Sequence, residues 1–117
     1  MKVLIVDDNP ALRRLIGRVL GEMADDIREC ADGAEALLAF QEYCPDLVLM
    51  DVEMARKDGI SATRDIMAAC PEARVVIVSR HDDEQIREAA RQAGASAYVC
   101  KENLLKLREL IEETAYH

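Results

Sequence analysis

The amino-acid sequence predicts an α/β fold in which one five-stranded parallel sheet lies between two layers of helices. Five short apolar runs, rich in β-branched residues, alternate with five segments of helical periodicity. Strands separated by helices of this length pair in parallel through right-handed crossovers, which place helices on both faces of the sheet. The 117 residues contain no linker, repeat or low-complexity segment. We therefore predict one domain over residues 1–117, with no second domain in this chain.

The strands are predicted where apolar residues run together between polar or turn-forming residues. Runs of this length and composition are typical of strands buried on both faces in a parallel sheet. The second run is the weakest, because charged residues interrupt it. The five predicted strands are Val3 to Val6, Ile27 to Ala31, Asp46 to Met50, Arg74 to Val78 and Ala97 to Cys100.

The helices are predicted from apolar side chains spaced three and four residues apart and from their end signals. Leu12 to Met23 carries the first pattern, and Pro10 lies near its first turn. Prolines 45 and 71 end the second and third helices, since proline cannot continue a helix. The fourth is predicted to start at a cap on Asp82 or Asp83 and to stop at Gly94, and the fifth to start at a cap on Asn103.

Composition narrows the classes of function. The net charge of −8 argues against a general nucleic-acid surface, which needs clustered Lys and Arg. No apolar stretch approaches the roughly 20 residues that a membrane helix needs, and the start of the chain is a strand, with no signal-peptide pattern. The four cysteines have no C-x-x-C spacing. Reduced, structural thiols in a cytoplasmic protein are the favoured interpretation.

Reactive side chains follow the apolar runs at the points where the strands end. They are Asp7, Asp8, Asp51, Ser79 and Lys101. The crevice outside the carboxyl ends of parallel strands is where ligands bind in open α/β sheets, so these groups are expected to converge in one cleft. Clustered carboxylates suit Mg²⁺, an aspartate can accept a phosphoryl group, and a lysine and a serine can hold phosphoryl oxygens. The sequence therefore predicts a metal-dependent phosphoryl site.

Each of these residues also has a simpler interpretation when it is taken alone. Asp8 and Asn9 can cap the first helix, and Asp51 can be an ordinary polar residue at a strand end. A serine after a strand is usually a turn residue, and a lysine there is usually solvated. Their common position at one edge of the sheet is what favours the phosphoryl site.

These motifs together resemble the receiver domains of response regulators over the whole chain. The residues that carry the resemblance are Val6 to Asn9, Pro45 to Asp51, Met54 to Gly59, Ser79 and Ala93 to Lys101. The last segment is similar to receivers of the NarL/LuxR type, which commonly precede a helix-turn-helix DNA-binding domain. The resemblance implies a three-layer (βα)5, flavodoxin-like or CheY-like fold with strand order 2-1-3-4-5.

The resemblance also implies a role for each site residue. Asp51 would accept a phosphoryl group from a histidine kinase or a phosphotransfer domain. Asp8, Asp51 and the backbone carbonyl of Glu53 would ligate Mg²⁺, with Asp7 acting mainly through water. Lys101 and Ser79 would contact the phosphoryl group. Tyr98 would then rotate inward and reshape the face of the fourth helix, fifth strand and fifth helix, through which a homodimer can form.

The resemblance implies that Glu53 and His81 tune the lifetime of the phosphoryl group, and we add Arg80 to them because it brings bulk and positive charge beside them. Arg80 stands where receivers most often have a small residue, and we expect it to shield the acyl phosphate from water. Ala55 stands where proline is usual, which predicts a less stiff loop after Asp51.

The resulting prediction is a phosphorylation-dependent switch of a two-component system and no enzyme. The domain would belong to a DNA-binding transcription regulator without itself binding nucleic acid or membrane, or it would be a stand-alone receiver or phosphorelay shuttle. A phosphohydrolase of the haloacid-dehalogenase kind is the disfavoured alternative. In those enzymes the nucleophilic aspartate precedes the acidic pair, whereas here Asp7 and Asp8 come first.

Overall fold

The computed structural model describes residues 1–54, 56–80 and 83–115. Five strands and five helices alternate along them, as the hydrophobic pattern predicts. The strands are β1 (Lys2–Val6), β2 (Asp26–Cys30), β3 (Leu47–Asp51), β4 (Val75–Ser79) and β5 (Ala97–Cys100). The helices are α1 (Pro10–Leu20), α2 (Gly33–Tyr43), α3 (Gly59–Ala69), α4 (Glu84–Gln92) and α5 (Lys106–Ala115).

All strand pairs are parallel, and the sheet order β2-β1-β3-β4-β5 confirms the implied order. The chain reverses its direction of winding between β1 and β3, which are neighbours in the centre of the sheet. In the register, Val6 pairs with Met50, and Asp51 pairs with Val78. The carboxyl ends of β1, β3 and β4 therefore meet at one edge, with the crevice of the topological switch point beside them.

The central strands alternate their side chains between two apolar cores, one on each face of the sheet. Helices α2, α3 and α4 cover the first core, and α1 and α5 cover the second. Because strand side chains have a period of two, Leu47 and Leu49 share a face with Asp51. That face belongs to the core of α1 and α5. The strand residues of the first core are Leu4, Val6, Cys30, Val48, Met50, Val75 and Ile77, and those of the second are Val3, Ile5, Leu47, Leu49, Val76, Val78 and Val99.

Side-chain caps fix the starts of four helices. The Oδ1 atoms of Asn9, Asp32, Asp58 and Asp83 accept backbone N–H groups of the first turns of α1, α2, α3 and α4. Each such cap is worth about 1 kcal/mol. Asp83 is thus one of the two predicted caps of α4, whereas the other candidate, Asp82, lies outside the described residues.

Two predicted helix ends are wrong. Helix α1 ends at Leu20, and Gly21–Met23 forms a 3-10 turn, because Gly21 has a φ of 53° that leaves the helical range. Asn103 does not start the last helix. It lies in a second 3-10 turn, Lys101–Asn103, and α5 begins only at Lys106.

No helix among the described residues has both the length and the apolar character that crossing a bilayer requires.

Candidate functional site

Three carboxylates meet at the carboxyl edge of the sheet, as the strand ends predict. One oxygen from each of Asp7, Asp8 and Asp51 can be chosen so that all three lie within 4.8 Å of one another. Asp7 and Asp51 are buried, and Asp8 is exposed. Oxygens at this spacing can share one divalent cation, for which carboxylates are suitable ligands. The residues therefore fit the predicted magnesium site.

The position of Asp51 depends on the way the chain leaves β3. Residues 52–54 and 56–58 belong to the loop that leads from β3 to α3, and the N–H of Gly59 donates to the carbonyl of Val52 at 2.8 Å. A Cβ on Gly59 would lie 1.8 Å from the carbonyl oxygen of Asp51. Only glycine permits this approach, so α3 starts directly against the strand end that carries Asp51.

Lys101 enters the site from the end of β5 and pairs with two of the carboxylates. Its Nζ lies 2.9 Å from Oδ1 of Asp51 and 3.3 Å from Oδ2 of Asp7. The lysine side chain is only 11% exposed, so these contacts are shielded from solvent. One ammonium faces three carboxylates, which leaves a net negative charge in the site.

The pKa of the Asp51 carboxyl group reflects both its burial and this excess of negative charge. Burial raises the pKa of its carboxyl group above the ordinary value, and the charges of Asp7 and Asp8 raise it further. The hydrogen bond from Lys101 and its charge act in the opposite direction but do not cancel the rise. The anionic form of Asp51 is therefore held in an unfavourable environment, which a divalent cation would relieve.

Asp7 is oriented by the first turn after β1. Its Oδ1 accepts the N–H of Asn9 at 2.8 Å, while Oδ2 faces Lys101. Its backbone carbonyl accepts from Nη1 of Arg13 at 2.5 Å, and its N–H donates to the carbonyl of Cys30. Asp7 is thus a fixed part of the site, whereas Asp8 is accessible to an incoming ion.

The site opens to solvent through a cleft of about 240 Å³. Two of its lining residues, Asn9 and Leu12, were not predicted as site residues. Asn9 was interpreted only as a helix cap, and Leu12 only as part of the apolar face of the first helix. Asn9 caps α1 and Leu12 lies in its first turn, directly after the acidic pair Asp7-Asp8. This position is the signal that could have identified them. The cleft is lined by Asp8, Asn9, Leu12, Asp51, Arg80 and Lys101.

Arg80 and Glu53, two of the predicted lifetime-tuning residues, lie close to each other. Nη2 of Arg80 is 3.9 Å from Oε2 of Glu53, and both side chains are largely exposed. The pair joins the residue after β4 to the loop after β3. His81, the third such residue, lies outside the described residues, as does Ala55.

Ser79 and Tyr98 lie on β4 and β5, the two strands beyond the one that carries Asp51. Ser79 is buried at the end of β4, one residue beyond Val78, which is the register partner of Asp51. Tyr98 is half-buried and packs against the core of α2, α3 and α4. The guanidinium of Arg87, from α4, lies 4.7 Å from the centre of its ring. The predicted switch residue is therefore in contact with α4.

Comparison with known proteins agrees with this geometry. A family model described as the response regulator receiver domain matches residues 3–114. The chain belongs to this family. Receiver domains are the phosphorylation-dependent switches of two-component response regulators, and the prediction made from the sequence motifs is confirmed at this level.

The relatives of this receiver domain include several transcriptional regulators. The transcriptional regulatory protein DegU of Brevibacillus brevis is 34% identical over 105 residues, which cover 87% of this chain and 44% of that protein. The chain spans about half the length of most such relatives.

Solved structures share its fold. A two-component response regulator of the LuxR family from Aurantimonas sp. SI85-9A1 superposes with a TM-score of 0.90 at 32% identity, covering 99% of this chain and 86% of that one. In a CheX-CheY-BeF3-Mg²⁺ complex from Borrelia burgdorferi, the matching chain has a TM-score of 0.86 and 26% identity, with 100% and 90% covered. The predicted similarity to LuxR-type receivers is confirmed.

Proposed function

We propose that Asp51 is the phospho-acceptor of this receiver domain and that a histidine kinase or a phosphotransfer domain is the donor. The observation that supports this most is the pairing of the buried Asp51 carboxylate with Lys101 at 2.9 Å beside two further carboxylates. An oxygen of Asp51 would form the new O–P bond, while the P–N bond of the phosphohistidine breaks and its electron pair stays on the ring nitrogen. The product is an acyl phosphate on Asp51.

The reaction is proposed to require Mg²⁺. Asp8, Asp51 and the backbone carbonyl of Glu53 would hold the ion, with Asp7 acting through water. When bound, Mg²⁺ offsets the negative charge of the carboxylates and of the incoming phosphoryl group. The raised pKa of Asp51 and the Mg²⁺ in the CheX-CheY-BeF3-Mg²⁺ complex of Borrelia burgdorferi support a role for this ion.

Lys101 and Ser79 are proposed to hold the transferred phosphoryl group. Tyr98 is proposed to rotate inward when that group is present. Lys101 already lies within 3.3 Å of both buried carboxylates, so its ammonium can follow the phosphoryl oxygens without a large movement. Tyr98 lies between the core and Arg87 of α4, so its rotation would alter the face made by α4, β5 and α5. We propose this face as the surface for output and for a homodimer.

The relatives named as transcriptional regulators support a role in the control of transcription, with DNA binding by a part of the protein outside this domain. A stand-alone receiver or a phosphorelay shuttle would use the same chemistry on Asp51. We propose that the domain is a phospho-acceptor and not a metabolic enzyme, and that it acts in the cytoplasm.

Self-phosphorylation from a small donor tests the proposed function. Incubation with acetyl phosphate and Mg²⁺ should add one phosphoryl group per chain by intact mass, and peptide mapping should locate it on Asp51. A chelator should prevent labelling. A protein that gains no phosphoryl group under any concentration of Mg²⁺ would contradict the proposal.

Metal affinity should depend on the carboxylate of Asp8 far more than on that of Glu53. Asp8→Ala removes a proposed ligand, and we expect it to weaken Mg²⁺ binding by roughly ten-fold or more. Glu53→Ala keeps the backbone carbonyl, so a change of less than about two-fold is expected. Titration of the unphosphorylated variants with Mg²⁺ measures both. Equal losses would instead indicate that the Glu53 side chain is the ligand.

The lifetime of the phosphoryl group should depend on Arg80. This side chain lines the cleft that also contains Asp51 and lies 3.9 Å from Glu53, and we propose that it hinders the approach of water. Arg80→Ala should therefore lose the phosphoryl group about two- to five-fold faster than the parent in a time course of intact mass. The opposing effect is stabilisation of transition-state charge by the guanidinium, which we expect to be smaller because Lys101 and Mg²⁺ supply charge already. Slower loss would show that this second effect dominates.

A further inference from the structure

The loop between β3 and α3 is held by contacts between its two ends and by contacts of its last residues with α3 and α2. At its base, Gly59 donates to Val52 at 2.8 Å. Near its end, Nζ of Lys57 forms an ion pair with Asp65 of α3. The backbone carbonyl of Lys57 also packs against the first residue of α2, where a Cβ on Gly33 would lie 2.1 Å from the carbonyl oxygen. The loop therefore lies directly against the start of α2.

Arg56 adds a side-chain contact across the same boundary. Its Nε and Nη2 donate to Oδ2 of Asp32 at 3.2 and 2.5 Å, and Nη2 lies 3.4 Å from Oε1 of Glu35. The other oxygen of Asp32 caps α2 by accepting the N–H of Glu35 at 3.0 Å. The hydrogen bond lowers the pKa of Asp32 and raises that of Arg56, so both groups are charged when they meet. Asp32 thus joins the start of α2 to the loop.

We propose that Arg56 is a positioning residue for the magnesium site. By holding the loop against Asp32 and Glu35, it sets the place of the Glu53 backbone, three residues earlier, whose carbonyl is the proposed metal ligand. This inference rests on the proposed function. The prediction that the loop is less stiff because Ala55 replaces proline is untested, and the ion pair of Arg56 is an alternative means of fixing the loop.

A positioning role and a pure charge effect have opposite consequences. If Arg56 acted only as a positive charge near the metal, its removal would strengthen Mg²⁺ binding, and removal of the negative charge of Asp32 would weaken it. If the ion pair positions the loop, removal of either partner weakens binding, because the ligand carbonyl is no longer held in place. The direction of change in the two variants therefore separates the mechanisms.

The experiment compares Mg²⁺ titrations of the whole chain and of its Arg56→Ala and Asp32→Asn variants. Asparagine keeps the cap of α2 through its one oxygen, and its NH2 group replaces the oxygen that accepts from Arg56, so both the charge and these hydrogen bonds are lost. Both variants should bind Mg²⁺ about two- to five-fold more weakly, as expected for loss of an exposed ion pair. The loss should shrink in high salt, where such a pair is screened. The double variant should be no weaker than either single variant.

Arg91→Ala is the matched control. Arg91 contacts Glu88 on α4 through Nε at 3.0 Å and Nη2 at 2.5 Å, a geometry like that of Arg56, but away from the loop. Its removal should leave Mg²⁺ affinity unchanged. Unchanged or tighter binding in Arg56→Ala would overturn the positioning role even if the parent is phosphorylated normally. Failure of the parent to bind Mg²⁺ or to be phosphorylated would instead overturn the proposed function.

Discussion

Replacing Asp51 by asparagine should abolish phosphorylation of the protein. The amide of asparagine is not a nucleophile under conditions in which a carboxylate forms an acyl phosphate, so no residual labelling from this position is expected. The change is nearly isosteric, and Lys101 keeps its contact with Asp7 at 3.3 Å. Intact mass after incubation with acetyl phosphate and Mg²⁺ should show only the unmodified chain.

Asp46→Asn is the control for this experiment. Asp46 is exposed directly before the same strand, at its opposite end, where its Oδ2 accepts the N–H of Lys2 at 2.7 Å. An asparagine can still accept this hydrogen bond, so the variant should be labelled like the parent. If Asp51→Asn were labelled to the same extent as Asp46→Asn, another residue would have to be the acceptor.

Replacing Gly59 by alanine should destabilise the fold by several kcal/mol. The new Cβ would lie 1.8 Å from the carbonyl oxygen and 2.7 Å from the carbonyl carbon of Asp51, and 2.9 Å from Cγ of Met50. Most of these neighbours are backbone atoms of the central strand and cannot move aside, so α3 must shift instead. We expect a loss of about 3–5 kcal/mol in the free energy of unfolding, as for severe overpacking in a core. Denaturant unfolding monitored by circular dichroism measures it.

Gly17→Ala is the control for this experiment, because the same replacement of glycine by alanine should here raise the free energy of unfolding. Gly17 lies within α1, and a Cβ there would meet only the Cδ1 atom of Ile27, at 4.0 Å. Alanine in a helix interior should stabilise the protein by about 0.5–1 kcal/mol. If Gly59→Ala unfolded at the same denaturant concentration as the parent, the close approach of α3 to the end of β3 would be wrong. A shift of α3 should also displace the loop that carries Glu53 and reduce labelling of Asp51.

The hydrophobic pattern was sufficient to predict the five strands and five helices. Strands β1, β3 and β4 are nearly continuous buried apolar runs, and the helices repeat apolar side chains three and four residues apart, whereas the charged β2 gave the weakest signal. Element ends were less predictable. The apolar spacing continues to Met23, but the backbone at Gly21 ends α1 earlier. Asparagine is a residue type that commonly caps helices, but at Asn103 the chain makes a 3-10 turn before α5 begins. Local backbone geometry, which the spacing of apolar residues does not record, decided both.

The sequence alone determined which residues could gather at the functional edge. Strand order and side-chain alternation follow from topology, so the convergence of Asp7, Asp8 and Asp51 could be predicted and the structure brings them together. Lys101 was predicted from its position after the last strand, and it too lies in the site.

Only the tertiary structure decided which partners the long side chains take. Lys101 divides its contacts between Asp7 and Asp51, Arg80 lies beside Glu53, and Arg56 reaches Asp32 and Glu35 of another helix. These side chains have several rotatable bonds, and Lys101 and Arg56 each contact two acidic groups. Their choice depends on burial and on the spacing of neighbouring elements, which sequence separation does not encode. The raised pKa of Asp51 has the same origin, because it comes from burial and from charges that belong to another strand end.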